Sequence, residues 1–230
     1  GKAGLAIHLK DARPDLAVIK SILRIAIPAS AQRFLPNLAN ALLMRLVAAL
    51  GDSPLTAFSL INRLLAFLQC LGMGIGNAAA TMVGQNLGGE KPERAERAAY
   101  LGTYAAIGSA FLLFGALNLW PMPILGIFDP DRAVLVIALA AVPYLLFIGM
   151  TRGWNEVMNR ALGGAGDTLS PMVVNIGALW LVQLPLCWAL TQPFDIGIQG
   201  IWIGLLVSYV ISATAMTLRF RQGRWKALKL

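Results

Sequence analysis

The sequence predicts an all-α integral membrane protein with six transmembrane helices. Three observations carry that reading. Of 230 residues, 57% are hydrophobic and only 13% charged, where a soluble domain carries about a quarter charged residues. Six apolar runs follow one another, each near or above the roughly 20 residues that span hydrocarbon. Lys and Arg collect in every second connection between the runs, the pattern that sets membrane orientation.

Residues 1–18 are polar and basic, with Lys2, Lys10 and Arg13 among scattered Leu and Ile. They read as a linker or a surface-lying amphipathic lead-in to a transmembrane unit over residues 19–220. The chain opens on Gly1 rather than Met, so it is expected to be a piece of something longer, or processed.

The first run, about 22–50, is interrupted by Pro28 and Pro36 and carries Arg24, Gln32, Arg33, Asn37, Asn40 and Arg45. Proline inside a crossing bends it and frees carbonyls. Gly51-Asp52-Ser53-Pro54 turns the chain into the second run, about 55–83, which holds Asn62, Arg63 and Gln69. Gly72, Gly76, Ala80 and Gly84 recur every fourth residue there, a small-residue ridge against which another helix can pack closely. Gly84 to Arg97 reads as a polar loop, with Pro92 opening the next helix.

The third run, about 98–120, ends at Pro121 and Pro123. The fourth, about 133–158, contains Pro143, Arg152, Asn155 and Glu156 and leaves through the glycine-rich stretch Arg160–Ser170. The fifth, about 172–190, holds Asn175, Gln183 and Pro185; the sixth, about 198–218, leads to a basic tail over 221–230.

The N-terminal segment, Gly84–Arg97, Arg160–Ser170 and the tail hold nearly all the connecting Lys and Arg. The opposite loops hold only Arg132, with Asp52, Asp129, Asp131 and Asp195. Both termini of this segment are therefore expected on the cytoplasmic side of a plasma (inner) membrane. The same placement speaks against nucleic acid as the partner of the +8 charge, because the cations do not form one face. The expected partner is the lipid bilayer.

Cys70 and Cys187 lie in apolar runs and read as packing residues, and the lone His8 has no nearby ligand partner. No metal site or cofactor is expected. No nucleophile, base and acid come together in the sequence, so an enzyme is not expected either.

Glu156 is the only acid inside an apolar run, and a carboxylate in a crossing is a candidate functional group by default. Arg152 stands one helical turn before it, at the spacing where the two can pair. The pair, with Asn155, reads as a proton- or cation-responsive site or as a structural ion pair. Arg33, Asn37 and Asn40 share a face of the first helix. With Gln32 they read as a cavity wall or as hydrogen-bonding contacts between helices. Gln69 and Asn175 are weaker cases of the same kind.

Val83-Gly-Gln-Asn-Leu-Gly-Gly-Glu-Lys-Pro-Glu-Arg-Ala95, with the Gly/Ala-rich helix before it, resembles the MATE family of multidrug and toxic compound extrusion transporters. So do Ala161-Leu-Gly-Gly-Ala-Gly-Asp-Thr-Leu-Ser-Pro171, the Pro28 helix opening and the Gly197-Ile-Gln-Gly-Ile-Trp202 entry to the last helix. The resemblance picks out Gly72, Gly76, Gly84, Gln85, Asn86, Gly88, Gly164, Gly166 and Asp167 as motif and packing positions. It implies one six-helix lobe of a twelve-helix transporter, the other lobe being a missing N-terminal partner. It implies that the complete protein exchanges small organic, often cationic, compounds for H+ or Na+ by alternating access. Gly163 stands where an arginine is common, and the first helix lacks the carboxylate of some branches. A lipid-linked oligosaccharide flippase of the wider superfamily is the alternative, on the strength of Arg33, Arg45, Arg63 and Arg152. A truncated half that does not transport is another.

Overall fold

A computed structural model describes residues 34–227 of the chain. Gln32 and Arg33, with the linker 1–18 and Pro28, lie outside the described residues. Helix α1 runs Phe34–Ala48 and α2 Asp52–Gly88. Next come α3 (Pro92–Leu119), the short α4 (Pro121–Gly126) and α5 (Arg132–Gly164). The fifth crossing is composite: α6 (Leu169–Gly177), a π-helical turn (Ala178–Gln183) and α7 (Leu184–Thr191). Helix α8 spans Ile198–Arg221, and a 3-10 turn, Arg224–Ala227, follows it. No strand occurs among the described residues, and five helical spans are long and apolar enough to cross a membrane.

Two helix ends correct the reading of the loops. Helix α2 continues to Gly88, so Gly84, Gln85 and Asn86 are helical and the connection to α3 is only Gly89–Lys91. The Gly89 and Lys91 N–H groups cap it by bonding to the carbonyls of Gln85 (3.0 Å) and Asn86 (2.8 Å). Likewise α5 continues to Gly164. At about 1.5 Å per residue both helices are some 50 Å long, well beyond the roughly 30 Å of hydrocarbon. Their ends therefore project beyond the apolar zone.

The π turn has a local cause. Pro185 has no N–H, and its ring excludes the carbonyl four residues back. The helix widens just before it, and the Leu184 N–H reaches back five residues to the Leu179 carbonyl. The widening turns Gln183 inward, where it is buried.

Helix α5 is the axis of the bundle, packed against α2, α3 and α8. Two apolar clusters pack the two halves of the bundle. One joins Leu65, Leu68, Phe114, Leu145, Ile148 and Trp202. The other joins Val83, Ala99, Met158, Leu162, Phe220 and Trp225. Trp225 belongs to the basic tail, yet it is buried, stacked on Phe220 at 4.6 Å and donating its indole N–H to the Phe220 carbonyl (2.7 Å). That end of the tail is a packed element. Large apolar side chains such as Phe67, Leu112, Leu119 and Leu181 face outward, as a bilayer permits.

Candidate functional site

The small-residue row of α2 lies along a matching row of α5. Gly72 faces the Glu156 side chain: a Cβ at Gly72 would lie 3.5 Å from its Cγ. Gly76 faces Arg160, and a Cβ on Gly164 would run into the carbonyl of Ala80. Gly84 in turn lies against the Gly164 carbonyl. The two rows share a spacing of four, so one glycine after another opens space for the next residue of α5. A side chain at Gly76 would occupy the place of Arg160, whereas one at Gly72 would come into ordinary contact with Glu156.

Those two residues form an ion pair, Arg160 Nε donating to Glu156 Oε1 at 2.5 Å. Arg160 also donates from Nη1 to Asn77 Oδ1 (2.6 Å). The expected Arg152–Glu156 pair is therefore replaced by Glu156–Arg160. Both spacings are one turn, but the glycine seam gives Arg160 the room. Arg152 instead donates from Nη2 to Gln69 Oε1 (2.7 Å), and its guanidinium stands 5.8 Å from the Tyr209 ring centre.

Beside this seam, between the two apolar clusters, lies a cavity of about 500 Å³. Helices α1, α2, α5, α6, α8 and the π turn line it. Of the sequence-picked residues it brings together Asn40, Gln69, Arg152, Asn155, Glu156 and Asn175. Asn37 sits on an exposed part of α1 and is not among the lining residues. Of Arg45, Arg63 and Arg152, only Arg152 lines the cavity, so its described lining is not the strongly basic one that the flippase alternative requires.

The wall is cross-linked by neutral groups. Asn155 donates from Nδ2 to the Tyr209 carbonyl (3.1 Å). Ser212 Oγ lies 3.2 Å from both Asn155 Oδ1 and Asn175 Oδ1. One hydroxyl hydrogen serves one of these at a time, so the contact can switch between α5 and α6. Ser208 donates to the Ala178 carbonyl (3.0 Å), tying α8 to the first residue of the π turn.

Sequence reasoning passed over Asn159, Ser208, Tyr209 and Ser212, and noted Asn62 and Gln183 without assigning them to the site. Asn159 was readable, being one turn beyond Asn155 on the same face. So was Ser208-x-x-x-Ser212. Hydroxyls are common in crossings because they bond back to their own helix, which hides those that do not. Gln183 had no such signal, because its inward direction depends on the π turn.

The motif residues from Gly84 to Gly88 and from Gly164 to Asp167 are not among the cavity-lining residues. Gly166 has φ +85°, a conformation that favours glycine, and turns the chain out of α5. Asp167, buried, accepts from the Ser170 N–H (3.1 Å) and hydroxyl (2.8 Å) at the start of α6. Arg219 of α8 reaches the same carboxylate at 3.3 Å. This latch joins α5, α6 and α8. Gln85 is exposed, Asn86 Nδ2 bonds back to the Met82 carbonyl (2.7 Å), and Gly88 ends α2.

Comparison with known proteins agrees with this architecture. A protein named "Probable multidrug resistance protein NorM" from Rhodopseudomonas palustris is 32% identical over 178 residues, 73% of this chain and 36% of that protein. One of the same name from Thermotoga maritima is 24% identical over 93% of this chain and 46% of that protein. Among solved structures, a single-site mutant of the Vibrio cholerae MATE transporter VcmN superposes with a TM-score of 0.81 at 19% identity, over 93% of this chain and 48% of that one. The eukaryotic MATE transporter AtDTX14 superposes with a TM-score of 0.75 at 21% identity, over 94% and 49%. The chain thus spans about half the length of the proteins it matches. The MatE family model matches residues 28–189, most of the chain, and the chain belongs to that family.

Proposed function

We propose that this chain is the second six-helix lobe of an efflux antiporter. Working against a companion lobe of similar size, it exchanges small organic, often cationic, compounds for H+ or Na+ by alternating access. The relatives named as multidrug resistance proteins support the efflux reading. The observation that carries it is a cavity of about 500 Å³ lined by both polar and apolar side chains, with Glu156 as the one carboxylate among its described lining residues. A cation arriving at Glu156 competes with Arg160 for the carboxylate, and a proton neutralises it. Either event loosens the ion pair at the α2–α5 seam, which is a route from ion binding to helix movement. Lys91, Arg94 and Arg97 at the start of α3, with Arg219 and Arg221 at the end of α8, support a cytoplasmic location for that end of the bundle.

The test is Glu156→Gln in the complete transporter, measuring efflux of a cationic dye across pH and sodium gradients. Loss of the gradient dependence, with dye binding retained, is expected. Efflux unchanged at every pH and sodium concentration would remove Glu156 from coupling and leave it a structural partner of Arg160.

A further inference from the structure

The cavity holds a cation that the ion-coupling reading does not use. Arg152 lies in the second half of α5, about three turns before its end, within an apolar crossing helix where an unpaired charge is expensive. The acid one turn away is already taken: Glu156 is held by Arg160, and Arg160 by Asn77. The partners of Arg152 are the neutral Gln69 amide and the Tyr209 ring. Among the described lining residues Arg152 and Glu156 are the only charged side chains, and the Glu156 charge is balanced by Arg160, so the surplus charge of the cavity wall is positive. Gln69 takes one of the five N–H donors of the guanidinium. Arg152 lines the cavity and is partly exposed, and Gln69 is its one hydrogen-bond partner among the described residues. Its planar fork matches a carboxylate in two parallel hydrogen bonds, and Gln69 holds the fork in place. Met44 and Leu179, both partly exposed, supply apolar surface in the same cavity.

We propose that Arg152, positioned by Gln69 and Tyr209, is an anion subsite that holds the carboxylate of an amphipathic cargo molecule whose apolar body lies against Met44 and Leu179. The proposal rests on the efflux reading for its transport consequence but not for its binding consequence.

Two measurements on the complete transporter test it. In liposomes, transport is compared for a xanthene dye with a free carboxylate and for the same dye with that carboxyl methyl-esterified. A charge-assisted hydrogen bond contributes enough that Arg152→Gln should lower the acid-to-ester rate ratio about tenfold or more, and Arg152→Lys should lower it less. An unchanged ratio in Arg152→Gln overturns the proposal. The second measurement needs no variant: the acid dye is bound to the purified wild-type protein and displaced with benzoate or with its neutral counterpart benzamide. Displacement by benzoate at about tenfold lower concentration supports the subsite, and equal displacement overturns it. If the wild-type protein moves neither dye, the efflux reading fails, while the displacement experiment still decides the subsite.

Discussion

Two adjacent glycines at the end of α5 respond oppositely to the same substitution if the α2–α5 seam is as close as described. At Gly163 a Cβ meets nothing within 4 Å. Gly163→Ala therefore gains only the helix preference of alanine over glycine, about 0.5–1 kcal/mol. At Gly164 the same methyl group runs into the backbone carbonyl of Ala80, which cannot rotate away as a side chain could. Overpacking of this kind costs about 1–3 kcal/mol, against the same propensity gain. Gly164→Ala should therefore be the less stable of the two by about 1–3 kcal/mol. At about 2–4 °C per kcal/mol, its melting midpoint should lie about 2–12 °C below that of Gly163→Ala. The assay is thermal unfolding of the two purified variants in the same detergent. Equal midpoints, or a Gly164→Ala protein more stable than Gly163→Ala, would refute the close approach of α2 and α5.

Two further outcomes concern the end of the bundle where the motif residues lie. Asp167→Ala leaves Arg219 and the Ser170 N–H without their shared acceptor and should cost about 1–3 kcal/mol. An Asp167→Ala/Arg219→Ala double-mutant cycle checks this, with a coupling of at least about 0.5 kcal/mol expected; strict additivity would mean that no latch exists. Trp225→Ala removes a buried aromatic that pins the tail to α8, with a ceiling of about 3–5 kcal/mol. The tail can peel away without opening the bundle, so the sensitive measurement is local. Trypsin should cut after Arg221 and Arg224 several-fold faster than in the wild type, and an unchanged cutting rate would show that Trp225 does not hold the tail.

Much of this protein was decided along the chain. Apolar runs long enough for hydrocarbon dictate helices, because a backbone in lipid must satisfy its own hydrogen bonds. Gly72, Gly76, Ala80 and Gly84 declare a close-packing face through spacing alone, and Glu156 stands out because acids are rare at that depth. What spacing cannot decide is which of two equally placed partners a side chain takes. Arg152 and Arg160 both stand one turn from Glu156. Only the neighbouring helix settles the choice: Gly76 and Asn77 receive Arg160, while Gln69 and Tyr209 hold Arg152. The inward turn of Gln183 and the burial of Trp225 were likewise hidden. The first depends on how a proline is absorbed by the helix before it, and the second on a surface built by α8 and its neighbours. Membrane class, crossings and small-residue seam are legible in the chain alone, because they follow from solvent and local geometry. Which cation is paired, and which is left facing the cavity, was settled by packing, because it depends on contacts between helices far apart in the chain.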